Sequence, residues 1–399
     1  MSVGYVPEFW SRIRSVSPAG AKNGAHILKC VGMCAFFISV EIKTLTDQIL
    51  DPDNEHNAFL KIKRGHRDSS KINRFQWDYA TNLQHYIDKQ EKRLIDFSDF
   101  HHFIIFEPKE RSIDAPSMEM RHAEVAIINV VEPIFDFTMI DHSYACRKGK
   151  GPLQACYDIQ EILRNLPDDE YWFVGHIDIR QYYKTINHSY CLGLFNSVMR
   201  EEWLYQIWND VLEGFYPGSP IGAPASQLNG NINMNPLDHY VVDKCNEPNY
   251  GRYTDDIFII GTDRDYIEDM IEKIALFVNQ HNKQDVHRDK TKILCIHRPN
   301  EDPIAFDFCG YRILPDKLFI RKRTILNFAR RIKTYVKDYK EGRGDIETIK
   351  KQIVSLNALT CHAYADSIFR LKYREVFKEA IELCGMKDKF VIGGRLDKA

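Results

Sequence analysis

The chain has 399 residues, 44% of them hydrophobic and 28% charged, with 54 Lys and Arg against 56 Asp and Glu for a formal net charge of −2. This profile excludes wholesale disorder, a low-complexity chain and a small disulfide scaffold, and the length calls for two or three subdomains. Near-neutrality also argues against a uniformly cationic nucleic-acid coat, although a total says nothing of how charge is distributed.

Residues 1–100 carry no catalytic pattern. Their most apolar run, Cys30–Val40, is bracketed by Lys29 and Glu41. It is shorter than the roughly 20 residues a bilayer span needs, and no charged segment with a small-residue cleavage site precedes it. A cytoplasmic protein with no membrane partner is expected. The ten cysteines include no CxxC pair and no Cys/His grouping at metal spacing. Cys30 and Cys34 would share a helix face, and buried thiols are expected rather than zinc ligands or disulfides. The charge-rich segment Asp51–Arg74 reads as a loop or arm.

From His102 short β-rich runs alternate with helical periods. Helices are predicted over Tyr157–Leu166, stopped by Pro167, over Glu201–Phe215 and over Tyr266–Val278. Strands are predicted over Trp172–Ile179, Ile257–Gly261 and Lys292–His297. With no GxGxxG or GxxxxGK[ST] string, an α+β fold with one sheet face covered by helices is expected. Arg321–Lys351 carries 11 Lys and Arg against 4 Asp and Glu over an apolar stripe of Ile325, Phe328, Ile332, Tyr335, Val336 and Tyr339. This basic amphipathic helix is either an ordinary solvated face or a grip for a polyanion.

Two acidic segments favour the polyanion. Tyr253-Thr254-Asp255-Asp256 leads into the apolar run Ile257–Ile260, and Asp178 sits inside Ile177–Ile186. Polar Asp-Asp turns before buried strands are common, so the first segment alone reads as a turn. Two strands each offering a carboxylate at an exposed end can instead clamp two Mg²⁺ ions about 4 Å apart, the arrangement that activates a 3′-hydroxyl and stabilises leaving pyrophosphate.

With these segments the chain resembles the bacterial reverse transcriptases, over about residues 102–320. Phe106–Ile113 looks like the first fingers motif, Ile177–Ile186 like motif A, Pro220–Asp238 like motif B and Tyr253–Asp256 like motif C. Asp289-Lys290-Thr291-Lys292 resembles motif D, and Phe308-Cys309-Gly310-Tyr311 the primer grip. The resemblance implies a right-hand polymerase fold: an N-terminal extension over 1–100, fingers over 101–165 and 187–221, a palm over 166–186 and 222–320, and a helical thumb over 321–399. Asp178, Asp255 and Asp256 would be catalytic and hold two Mg²⁺ ions, with Mn²⁺ able to substitute. Lys290 would be a general acid toward pyrophosphate, or simply a surface lysine. Lys109, Arg111, Ile179, Tyr183 and Ile221 would line the dNTP site, with the Tyr183 ring excluding a ribose 2′-OH or merely packing. Tyr253, Gln227, Phe308, Gly310, Tyr311 and the thumb residues Arg330, Arg331 and Lys333 would meet template and primer. Arg147 and Lys148, in the basic loop Ser143–Gly151, would touch the template backbone, or the loop is only solvated.

Motif B departs from the common pattern, since Ile221 stands where many members have Gln and Gln227 where they have Pro. Diversity-generating and several defence lineages share that change. An aliphatic Ile221 offers no hydrogen bond to the incoming nucleotide, so nucleotide discrimination should weaken. Nothing resembles a ribonuclease H, nuclease or maturase module, and Leu356–Phe377, with His362, Tyr364 and Arg370, looks like further thumb. The expected function is RNA-directed DNA synthesis on a dedicated structured non-coding RNA in antiphage defence. The alternatives are a diversity-generating element and a vestigial RNA-binding scaffold. Expected partners are the RNA template, DNA product and dNTPs, with an accessory protein, a second reverse transcriptase or self-association as further candidates. Residues 321–399 hold 19 Lys and Arg against 10 Asp and Glu, a net of +9, leaving residues 1–320 at −11 with 35 against 46. A basic thumb beside an acidic palm suits a polymerase.

Overall fold

A computed structural model describes residues 43–65, 69–106, 110–360, 362–363 and 367–386, the side chains of 367–374 excepted. Cys30, Cys34 and Lys109 of the expectations above lie outside the described residues, as do Tyr364 and the Arg370 side chain. The elements in chain order are α1 (Leu45–Ile49), α2 (Pro52–Gly65), α3 (Ser70–Trp77), α4 (Tyr79–Glu91), β1 (Phe100–Ile105), β2 (Arg111–Pro116), α5 (Met118–Thr138), α6 (Pro152–Arg164), β3 (Trp172–Asp178), α7 (His188–Met199), α8 (Glu202–Glu213) and α9 (Pro224–His239). There follow β4 (Tyr250–Tyr253), β5 (Asp256–Gly261), α10 (Arg264–Phe277), β6 (Lys292–His297), β7 (Phe306–Phe308), β8 (Tyr311–Ile313), β9 (Leu318–Ile320), α11 (Lys322–Lys340), α12 (Ile346–Thr360) and α13 (Ser367–Leu383). The chain divides into two units, one of residues 1–99, 117–131 and 192–214, the other of the remainder.

Among its described residues the first unit is helical. Asp51–Arg74, expected to be a loop or arm, instead forms α2 and α3, because its few apolar residues fall at helical spacing beneath the charge. Ala58, Phe59, Ile62, Ile72 and Phe75 are buried, and Phe59 stacks on Phe75 at 5.0 Å between ring centroids. Asp53 in the first turn of α2 and Lys63 and Arg64 in its last complement the helix dipole. Beneath them lies a buried acid–imidazole pair. His122 Nε2 donates to the Glu55 carbonyl at 3.0 Å, which leaves Nδ1 as the acceptor facing Glu55 Oε2 at 3.1 Å. Burial pushes Glu55 up to about 8 and His122 down to about 4, which favours the uncharged form of both groups near neutral pH.

The second unit is built on a four-stranded antiparallel sheet of order β4-β5-β3-β6. One face was expected to be covered; in fact both are. Ile177 of β3 and Ile179 just beyond it join Ile257 and Ile259 of β5 and the α10 residues Ile267, Ile271 and Ile274 on one side. Trp172 and Val174 join Phe258, Ile260, α6 and the small β7-β8-β9 sheet on the other. Gly175 lets α10 approach, since a Cβ there would lie 2.8 Å from Ile267 Cγ2. Helix α9, carrying motif B, is buried almost throughout, and its asparagines tie it outward: Asn231 donates to the Ala145 carbonyl, Asn233 to Gln284 and Asn235 to Thr138.

The basic segment is two helices rather than one. Its turn passes through Gly342 at φ +73° and Gly344, whose missing Cβ would sit 2.8 Å from the Tyr339 nitrogen. The buried stripe of α11 is Ile325, Ala329, Ile332 and Val336, with Arg330 and Lys333 exposed opposite it.

Candidate active site

Three acidic residues, Asp178, Asp255 and Asp256, lie at one end of the sheet. Asp178, the last residue of β3, pairs in register with Asp256, the first of β5, and opposed partners in a ladder project to the same face. Tyr253 pairs with Asp256, so Thr254 and Asp255 form a two-residue hairpin turn. The Ile179 N–H donates to the Asp255 carbonyl at 3.3 Å, which seats that turn against the end of β3. Burial raises the Asp255 pKa, the Thr254 hydroxyl opposes this, and the neighbouring Asp256 and Asp178 charges raise it further. Thr254 Oγ1 lies 2.7 Å from the Tyr253 carbonyl and 2.8 Å from Asp255 Oδ1, two acceptors sharing one proton. Lys290 reaches both oxygens of Asp178.

Two neighbours escaped sequence reasoning. His176 Nε2 lies 3.4 Å from Asp256 Oδ1, with its ring edge-on to Phe306 and Phe308. Its position two residues before Asp178, hence on the same strand face, was the available signal. Arg252, fully buried on β4, bonds Asp238 of α9; a cation inside an apolar strand was the hint.

Among the residues expected to line the dNTP site, Tyr183 lies T-shaped to Tyr182 at 5.1 Å, and the buried Tyr182 hydroxyl donates to the Gly230 carbonyl of α9 at 2.5 Å. A Cβ on Gly230 would come within 3.3 Å of the Tyr182 hydroxyl and 3.4 Å of the Tyr183 ring. Ile221 is half-buried and its carbonyl accepts from the Asp114 N–H of β2, next to Gly222 at φ +128°, where a Cβ would meet Ile113 and Asp114. Arg111 is exposed at the start of β2. The Ile179 side chain belongs to the core, against expectation, since strand alternation turns it away from the face of Asp178.

The template and primer expectations divide. Lys148 and Gln227 are exposed, and Tyr253 is half-buried. Arg147 is not an exposed loop cation: its guanidinium is turned inward onto Asp136 and the carbonyls of Ile140 and Ser143, closing the loop. Phe308 and Tyr311 are core residues rather than contact surfaces, because they flank a tight hairpin whose strands pack on Phe258. Cys309 at φ +47° and Gly310 at φ +89° form that turn, and nothing lies within 4 Å of where a Gly310 Cβ would be, so the backbone there is open to a ligand.

Among the described residues no three His, Cys, Asp or Glu side chains converge on one point. A hard divalent cation does not need such a cage, because Mg²⁺ takes one or two carboxylates and completes its shell with water and substrate phosphate. Carboxylates that repel one another around Asp255, one of them already holding an ammonium, are chemically suited to it.

An antiparallel sheet tipped by acidic residues, with helix α9 bonded to its β4–β5 hairpin through Asp238 and Arg252, is an arrangement that suits a polymerase. The chain belongs to the reverse transcriptase (RNA-dependent DNA polymerase) family, whose pattern matches residues 106–313, just over half of it. The match fits the right-hand polymerase fold. No curated protein matches it. Similar solved structures include apo telomerase from Candida tropicalis truncated from its C-terminal domain (13% identity, TM-score 0.41, 56% of this chain and 55% of that one). Another is telomerase from Candida albicans with a TWJ fragment of telomeric RNA (10% identity, TM-score 0.43, 73% and 61%). This chain thus spans less than two thirds of the length of either. Among the described residues no helix is long and apolar enough to cross a membrane.

Proposed function

We propose that the chain extends a primer with deoxynucleotides on an RNA template, in the cytoplasm of a bacterial cell. The meeting of Asp178, Asp255 and Asp256 at one sheet end, inside a reverse transcriptase match, carries this reading. The three carboxylates would hold Mg²⁺, which when bound supplies charge neutralisation for the attacking hydroxyl and leaving pyrophosphate. Tyr183 excludes a ribose 2′-OH, Arg111 binds triphosphate, and Lys290 donates a proton to the leaving group. Fingers, palm and thumb keep the boundaries stated for the resemblance, with 321–399 gripping the duplex.

The template is a dedicated structured non-coding RNA, and the setting is antiphage defence. Ile221 and Gln227 in motif B support that setting, and equally favour a diversity-generating element, for which a neighbouring pair of template and variable repeats is the discriminating observation. The test is purified protein with Mg²⁺, dNTPs and its copurifying RNA. DNA made by the parent and not by Asp255→Ala is expected; no product from the parent, or product from the variant, sinks the reading.

A further inference from the structure

Every arm of the Arg252 guanidinium is engaged although the residue is fully buried. Nε and Nη2 donate to the two oxygens of Asp238 at 2.9 and 2.8 Å, and Nη2 also reaches Ser143 Oγ at 3.0 Å. Asp238 is held in turn by the Tyr250 hydroxyl at 2.6 Å. The Arg252 backbone is pinned as well, its N–H donating to the His142 carbonyl and its carbonyl accepting from Tyr144. These bonds anchor motif B to the hairpin. The remaining arm also reaches the turn: Nη1 donates to the carbonyl of Thr254 at 3.2 Å, with Asn231 Oδ1 of α9 a longer acceptor at 3.5 Å.

Thr254 is the turn residue beside Asp255, and its φ is +55°. A β-branched residue avoids that left-handed region, and such strain persists only where the surroundings over-determine it. Its carbonyl lies outside the ladder, whose register closes at Tyr253 and Asp256, so Arg252 supplies a partner from below. A lysine could pair with Asp238 but lacks the planar fork that donates to Asp238, Ser143 and Thr254 at once.

We propose that Arg252 is a positioning residue, which holds Thr254 in its strained turn from a base fixed on Asp238 and thereby sets the Asp255 carboxylate for metal and substrate. The inference rests on the proposed polymerase function.

The experiment compares the full chain with Arg252→Lys, Thr254→Asn and the double variant, reading thermal melting, kcat and dNTP KM on a primed RNA, and Mn²⁺ binding by electron paramagnetic resonance without nucleic acid. Arg252→Lys should stay folded but melt lower than the parent, because buried acceptors lose a donor, and keep its KM, while kcat falls about 100-fold and Mn²⁺ binds more weakly. Asn tolerates the left-handed region, so Thr254→Asn should restore most of both losses in the double variant. Parental kcat and Mn²⁺ affinity in Arg252→Lys, or losses that Thr254→Asn leaves untouched, overturn the proposal. Should Arg252→Lys not fold, Asp238→Asn loosens the same base and is read by the same two criteria. If the parent makes no DNA, the functional reading fails, and the Mn²⁺ comparison still decides this one.

Discussion

Lys290 Nζ lies 2.8 Å from one carboxylate oxygen of Asp178 and 3.1 Å from the other, occupying the group that a metal ion would bind. The same ammonium cannot reach a leaving pyrophosphate while it sits there, so binding of a cation at Asp178 and release of Lys290 are linked.

Lys290→Met should therefore bind Mn²⁺ more tightly in the absence of nucleotide. The side chain is half-exposed, so the gain is modest, up to about fivefold. Its kcat should fall by roughly 10²-fold or more through loss of the general acid. Calorimetric titration and single-nucleotide extension measure the two effects, and an unchanged Mn²⁺ affinity refutes the linkage.

The Tyr183 ring is set by Tyr182 and by the bare Cα of Gly230. Gly230→Ala should push the rings apart, lowering the preference for dNTP over rNTP together with kcat, whereas Tyr183→Val should relax sugar selectivity with less loss of rate. Competition between labelled dGTP and GTP measures both, and sugar selectivity intact in Tyr183→Val removes the gate assignment.

Ile221 borders the nucleotide side without a polar group to offer. Ile221→Gln should misincorporate less than the parent, by about the worth of one hydrogen bond, roughly 1 kcal/mol or fivefold. Deep sequencing of products from a defined template decides, and equal error spectra count against the idea.

The Glu55–His122 pair gives the first unit a defined pH response. Glu55 carries a folded pKa of about 8 against 4.5, so the folded state keeps a proton that the unfolded chain loses as pH rises above 4.5. His122, at about 4 against 6.5, acts oppositely, binding its proton more readily when unfolded. The two effects cancel between pH 4.5 and 6.5. From 6.5 to 8 Glu55 acts alone, and stability falls by about 1.4 kcal/mol per pH unit. Urea melts across this range should show the decline in the parent and its absence in Glu55→Gln.

Exposed cations on α11 should carry the salt sensitivity of nucleic-acid binding. Replacing Arg330 and Lys333 by Gln should reduce the slope of log K against log salt by about one per residue, weakening all template sequences alike. Filter binding at several salt concentrations is sufficient, and an unchanged slope places the duplex elsewhere.

What could be read without a structure was local. Between Trp172 and His297, β3, α8, β5, α10 and β6 stopped within a few residues of expectation, because neighbours along the chain encode them, whereas α7, α9 and β4 were not anticipated. The family was equally legible, since Asp178, Asp255, Asp256, Lys290 and Tyr183 lie in strings that fall within the matched span. Charge obscured the period in Asp51–Arg74, where, among the described residues, four buried apolar side chains, Ala58, Phe59, Ile62 and Ile72, lie beneath it.

Everything that depended on partners distant in the chain was decided by the tertiary structure. Ladder register places Asp178 and Asp256 side by side on one face and turns Ile179 into the core. Folding carries Arg147 inward onto Asp136, makes Phe308 and Tyr311 supports rather than contacts, and brings Asp238 beneath Arg252 so that Thr254 can hold a conformation its own side chain disfavours. A sequence names the groups able to ionise, donate or pack. Which of them face one another in a low-dielectric interior is fixed only when strands and helices close around them, and there hydrogen bonding and desolvation decide which residues support the site and which remain free to act.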